Sequence, residues 1–427
     1  MVNNENGDLS NVTLGESGDF EKFEKGKDDV IANNDSDVES GTPPQRSRWS
    51  SAIETFSPNW FALCMNTGLL GIQLHQFPYK FRGSNVIATC FFISEVVLFF
   101  LFIIIQIIRF CLFPRAAWKQ TIATMDELCF WGCVPIALVT IVAQIGIIGS
   151  TANSWSDSAQ HGITVFAVVL WWIDTALMLV TAYVVYYLIA RWRMAEKAPI
   201  PSGIFLPAVG TTTVGLVGGI MVNGSFGLSA RLAVPIIFVS FLLEGFGWWI
   251  AMLVYPVFLA EIWTKGLPPP FKLPTMMMLV GPAGQVGAAL HSLGTSAATY
   301  FGPYNRGTFF TAEFGFAFGA ASKMLAVMFL GFDVFWGIFV IYTLAHHLIS
   351  GKAKPGMPWW STIFPLGTMN STFLLLSQEL DSPTFRVLAA GLYLLLLIDY
   401  ICCWIMTIYL VWRGDLLDGR PKTEKIA

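Results

Sequence analysis

Thr211, Thr212, Thr213, Gln285, Thr368 and Asn370 carry hydroxyl or amide groups inside stretches otherwise apolar enough to cross a membrane, each a few residues after a proline. Such groups replace part of an ion's hydration without holding it tightly, which suits fast passage more than capture. A helix kinked at a proline leaves backbone N–H groups unpaired where it restarts, and the gap carries partial positive charge, so the same places favour an anion. The central parts of these stretches hold no Lys or Arg, and their acids, Asp126, Glu127 and Glu379, sit near the ends. Cation conduction draws on carboxylate rings or carbonyl filters, and neither is evident. The other residues expected along such a path are Asn66, Pro135, Pro207, Gly210, Pro282, Gly284, His291, Pro365 and Gly367.

The elements that must position these groups follow from composition. With 55% hydrophobic and 12% charged residues among 427, the chain is too apolar for a soluble domain, where about a quarter of residues are charged. Ten apolar segments fall near 57–77, 84–113, 121–150, 161–190, 201–223, 230–264, 274–299, 312–348, 360–380 and 384–412. Each is long enough, at about 1.5 Å per residue, to span a bilayer core of about 30 Å. They lack the residue-by-residue alternation of barrel strands, so the expected class is an all-α integral membrane protein.

Residues 1–50 hold eleven Asp or Glu against five Lys or Arg, with no apolar run to serve as a signal peptide. They read as a disordered acidic cytosolic tail. Residues 51–413 then form a ten-helix transmembrane transport domain and 414–427 a cytosolic C-terminal tail. With the N-terminus inside, ten Lys or Arg fall in inner loops and five in outer ones, which places both termini in the cytosol. The net charge of −3 is modest and implies no nucleic-acid partner. Seven cysteines lie within or at the ends of apolar segments, as reduced packing residues do. Cys129 and Cys133 share a helix face without the further ligands zinc needs, so no metal is expected. No phosphate-binding Gly loop, metalloprotease helix or Ser/His/Asp arrangement is found, so the chain is expected to be neither an enzyme nor dependent on a cofactor.

Prolines mark the odd-numbered segments at Pro58, Pro135, Pro207, Pro282 and Pro365, at spacings of 77, 72, 75 and 83. A period of two spans is the signature of a repeated helical hairpin. Three copies share local chemistry in "LPAVGT", "GPAGQ" and "FPLGT". Five hairpins can close into a ring, with Gly- and Pro-rich odd helices inside around a central pore and apolar even helices against lipid or a neighbouring subunit. The competing reading is that Pro and Gly serve close helix packing.

The even segments hold Glu95, Asp174, Glu244, Lys323, Asp333 and Asp399. Intramembrane charges are expensive and face protein. Here they are expected either to couple transport to protons or to tether the inner helices by accepting freed N–H groups, with Lys323 paired to an acid. His291 is the lone candidate for a proton-sensitive pore residue, its alternative a hydrogen-bonded packing histidine. "GFAFGAA" from Gly315 is a small-xxx-small pattern that packs helix on helix within or between subunits.

The ten spans as five hairpins, "SPNWFALCMNTGLLG" in the first and "STIFPLGTMN" in the ninth resemble the tellurite-resistance/dicarboxylate transporter family over about residues 50–415. That family includes plant slow anion channels, bacterial tellurite-resistance channels, yeast malate permeases and fungal sulfite efflux pumps, and the quoted stretches look most like the sulfite pumps. The resemblance implies a homotrimer with one pore per subunit, lined by the five odd helices in a quasi-fivefold ring. It implies that the phenylalanine beside the ninth-span proline, Phe364, plugs the pore. It also implies export of sulfite or bisulfite across the plasma membrane, with membrane lipid around the trimer. A proton-coupled malate or dicarboxylate transporter is the alternative within the family, and a non-conducting sensor or scaffold the alternative outside it.

Overall fold

The computed structural model describes residues 48–151 and 155–416. The expected N-terminal tail, up to residue 47, and all but the start of the C-terminal tail lie outside the described residues. Ten longer helices follow in chain order: α1 (Phe61–Gln76), α2 (Ser84–Leu112), α3 (Cys133–Thr151), α4 (Asp157–Arg191), α5 (Leu206–Gly224), α6 (Ala230–Lys265), α7 (Gly281–Tyr304), α8 (Ala312–Ile349), α9 (Ile363–Glu379) and α10 (Pro383–Trp412). Among the described residues, eight helical segments are long and apolar enough to cross a membrane, while α1 and α9, at 16 and 17 residues, are shorter.

Even and odd helices begin differently. Ser156, Thr311 and Ser382 cap α4, α8 and α10 by accepting from backbone N–H groups three residues on, which satisfies donors a helix start otherwise leaves free. The odd helices instead follow short 3-10 turns, at Pro58–Trp60, Phe130–Gly132, Ser202–Phe205, Leu273–Leu279 and Met357–Ser361. This corrects the expected proline breaks. Pro58 opens its 3-10 turn, and Pro135, Pro207, Pro282 and Pro365 are the second or third residues of their α-helices. In a first turn the missing N–H would have had no intrahelical partner anyway, so these prolines set where each α-helix starts and free no donors in mid-span.

The helix ends agree with the sequence reading to within about five residues except that α3 begins at Cys133 and not near 121, and α7 begins at Gly281 and not near 274 and runs on past 299. It closes at Asn305, whose left-handed backbone (φ 40°) is a common helix ending.

Burial separates the two sets. In the segments holding α5 and α7, 94% and 89% of the most apolar stretch is buried, against 22% in α2 and in α10. On α2, Val97, Phe100, Leu101 and Ile104 face outward, and on α10 so do Ile398, Ile401 and Ile405. Those spacings trace one helix face, and an outward apolar face suits lipid. Each odd helix packs on the next, α1 on α3, α3 on α5, α5 on α7 and α7 on α9, and α9 packs on α1. Each even helix contacts its own hairpin partner and the odd helix after it, α10 touching α9 and α1. "GFAFGAA" serves contact within the chain: a Cβ on Gly315 would stand 2.6 Å from the Ala297 carbonyl, and one on Gly319 2.8 Å from that of Gly294.

Candidate functional site

Phe364 sits one residue into α9, just after the 3-10 turn, and is 1% exposed. Beside it lies a cavity of about 20 Å³ lined by Met65 of α1, Leu206 and Val209 of α5, Met278 before α7, and Ser361 and Pro365. Four stretches of chain distant in sequence thus meet at one phenylalanine. A space of that size holds about one water. Pro135 and α3 take no part in the cavity lining.

The polar candidates are all buried, and most sit at seams between odd helices, while Thr211 and Thr212 face Gly247 of the even helix α6. Between α1 and α9, Asn66 Nδ2 donates to the Trp360 carbonyl (2.8 Å), Gln73 Nε2 donates to the Gly367 carbonyl and to Ser371 Oγ (3.0 Å), and Asn370 Nδ2 donates to Gln73 Oε1 (3.0 Å). Between α5 and α7, Gln285 Nε2 donates to Thr213 Oγ1 (2.8 Å). Between α7 and α9, Thr372 Oγ1 donates to the Gly284 carbonyl (2.9 Å). The hydroxyl protons of Thr211, Thr212, Thr213 and Thr368 go to carbonyls three or four residues back in their own helices. Gly210 and Gly367 admit close neighbours: a Cβ on either would overlap Met178 Sδ and Leu69 Cδ2, respectively. Pro207 and Pro282 occupy buried first turns of α5 and α7.

The even-helix acids lean on the odd helices, but not through backbone donors. Glu95 of α2 is fully buried and accepts from Thr140 Oγ1 and Gln144 Nε2 of α3, both at 2.5 Å, while its carboxyl lies where a side chain on Gly68 of α1 would be. Glu95 therefore joins two odd helices through side chains, which corrects the expectation of freed N–H donors. Asp399 of α10 likewise accepts from Thr362 Oγ1 (2.5 Å). Glu244 presses on Gly215 and Asp333 on Gly284. Glu95→Ala removes the acceptor of Thr140 and Gln144 in a buried seam, and is expected to cost about 1–3 kcal/mol of stability. Thermal unfolding of the detergent-solubilised protein checks this, and Glu95→Gln, which keeps a polar partner, should lose less.

His291 lies apart from Phe364, along α7, with its Nε2 3.4 Å from Glu379 Oε2 at the end of α9. Lys323 of α8 pairs with the same carboxyl at 2.7 Å, as expected of it. A cavity of about 400 Å³ opens elsewhere, between residues 122–126, residues 192–201 and Lys272, which is bonded to Asp126 at 2.5 Å. It shares no residue with the space beside Phe364.

Sequence reading missed Gln73, Thr140 and Gln144, each a polar residue in an apolar run on an odd helix, and Met65 and Met278 beside Phe364. A search for isolated amides in the odd segments would have found Gln73 and Gln144. Nothing in the sequence marks the two methionines.

Long lipid-facing helices around buried, polar-seamed ones define a polytopic helical membrane protein of the transport kind. Residues 55–408 match the family described as SLAC1, voltage-dependent anion channel, and the chain belongs to it. This is a family of channels and transporters, not of enzymes. Among its relatives, the sulfite efflux pump SSU1 of Arthroderma benhamiae is 27% identical over 84% of this chain and 91% of that protein. The SSU1 pump of Saccharomyces cerevisiae is 21% identical over 80% and 84%. The malic acid transport protein of Schizosaccharomyces pombe is 24% identical over 86% and 80%. The resemblance drawn from the first and ninth spans thus holds, and both of its branches are represented.

Proposed function

We propose that the protein exports sulfite or bisulfite across the plasma membrane, through a path enclosed by α1, α3, α5, α7 and α9 and closed by Phe364. The observation that carries this is the meeting of Met65, Leu206, Val209 and Met278 at Phe364, on helices whose contacts return from α9 to α1. Ten spans arranged as five hairpins in a quasi-fivefold ring account for that contact order. Relatives named sulfite efflux pumps supply the substrate. The path carries no fixed cation, so it passes an anion by partial rehydration and does not retain it. In this reading residues 51–413 are the transport domain, both termini are cytosolic, and three copies assemble with their apolar even faces against lipid or one another.

The test is flux of sulfite, nitrate, chloride and malate through purified protein in liposomes, with and without a pH gradient. Sulfite flux above protein-free vesicles is the expected result. Malate uptake that rises with external acidity, without sulfite flux, would establish the dicarboxylate reading that the malic acid relative favours.

A further inference from the structure

Three amides at the seams are oriented by their partners. The Trp360 carbonyl can only accept, so Asn66 must present its nitrogen there. Thr213 spends its proton on the Val209 carbonyl (2.7 Å), so Gln285 must donate to it. Gln73 spends its nitrogen on Gly367 and Ser371, so its oxygen must accept from Asn370. None of the three can be turned over without losing a bond.

What each leaves over is the same. Asn66 Oδ1, Gln285 Oε1 and Asn370 Oδ1 are buried with no hydrogen-bond partner, and each nitrogen has used one of its two hydrogens. Thr213 and Thr368 at these seams have also spent their protons and offer lone pairs. Buried acceptors without donors are costly, and these three, with Gln144 Oε1 of α3 as a fourth, are the amide oxygens on the odd helices that can take a donor from a passing ion.

We propose that these three amides make the path selective for the hydrogen-bearing monoanion, bisulfite, over the sulfite dianion. Bisulfite brings one O–H donor and anionic oxygens, which match a free carbonyl beside a free N–H. Sulfite dianion and nitrate bring acceptors only and meet the carbonyl oxygens unfavourably. The dianion also has the larger dehydration cost in a path without cations. The inference rests on the anion path proposed above and names the protonation state that it carries.

The experiment measures sulfite release from proteoliposomes, with protein-free vesicles subtracted to remove leakage of sulfur dioxide. In one pH series free bisulfite is held constant by adjusting total sulfite, and in a second the dianion is held constant. Nitrate flux at each pH corrects for the protein's own response. The expected result is a corrected rate that stays level in the first series and falls with bisulfite as pH rises in the second. A rate that stays level in the second series, or is indifferent to both, overturns the proposal. Absence of both sulfite and nitrate flux would instead defeat the anion-path reading itself. In Gln285→Met and Asn370→Leu the bisulfite-to-nitrate rate ratio should fall about tenfold, the equivalent of one good hydrogen bond. An unchanged ratio in a folded variant counts against the amides, and the two pH series on the unaltered protein decide the matter if both variants misfold.

Discussion

Phe364→Ala is expected to raise anion flux at least tenfold, which corresponds to a barrier lowered by about 1.4 kcal/mol or more. The ring is buried beside a space of about 20 Å³, and in the proposed reading it is this side chain that closes the path. The wall is nearly all apolar: Met65, Leu206, Val209 and Met278 offer an anion no hydrogen bond and the Ser361 hydroxyl donates to the Pro358 carbonyl, and a narrow apolar passage is where most of its hydration must be given up. Removing the ring joins its volume to the existing cavity and lets water accompany the ion. The same truncation removes a core contact, and Phe→Ala in a core costs about 3–5 kcal/mol. Flux should therefore be read only in protein that elutes and melts as a folded species, with Phe364→Leu as an intermediate step. Unchanged flux in folded Phe364→Ala would remove Phe364 as the gate. If the unaltered protein also passed no anion, the sensor or scaffold reading would gain.

Much of this layout was legible in the sequence because one solvent dictates it. A bilayer demands long helices with internally paired backbones, so the apolar runs could be read from composition alone, though not where α3 and α7 begin. The division into buried and lipid-facing helices was legible for the same reason, since Gly, Thr and amides gather on the odd segments and Leu, Ile and Phe on the even ones. The prolines were found, but their effect was misread. A period of about two spans says that Pro207, Pro282 and Pro365 are equivalent, yet not whether an α-helix is broken there or begins there. That depends on the 3-10 turns before them, which no sequence period reveals. The seams were less legible still. Gln73 and Asn370 are nearly 300 positions apart, and Glu95 reaches Thr140 and Gln144 only because Gly68 leaves room for its carboxyl. Such pairings are set by tertiary approach between helices.

Gly284→Ala is expected to be among the most damaging single-methyl additions in the protein, destabilising it by about 3 kcal/mol, the upper end of what overpacking costs. A Cβ there would stand 2.5 Å from Thr368 Oγ1, 2.6 Å from the backbone nitrogen of Met369 and 2.8 Å from Asp333 Oδ2. A flexible side chain could swing aside from such a methyl, but the Met369 nitrogen belongs to the backbone of α9 and moves only with the helix. On the other side Asp333 is held in α8, fully buried. Three helices thus meet over one missing methyl, and the Gly284 carbonyl accepts from Thr372 Oγ1 in the same seam. Gly331→Ala on α8 is the control, because nothing lies within 4 Å of its added methyl. It should be neutral, or gain up to about 1 kcal/mol from better helix propensity. Unfolding midpoints of both variants in one detergent test the contrast, and a Gly284→Ala protein as stable as Gly331→Ala would show that α7 and α9 do not approach this closely. Where some Gly284→Ala protein folds, relief of the contact with the Met369 nitrogen requires α9 and α7 to move apart. Phe364 rides on α9, so the surviving protein should also leak anions.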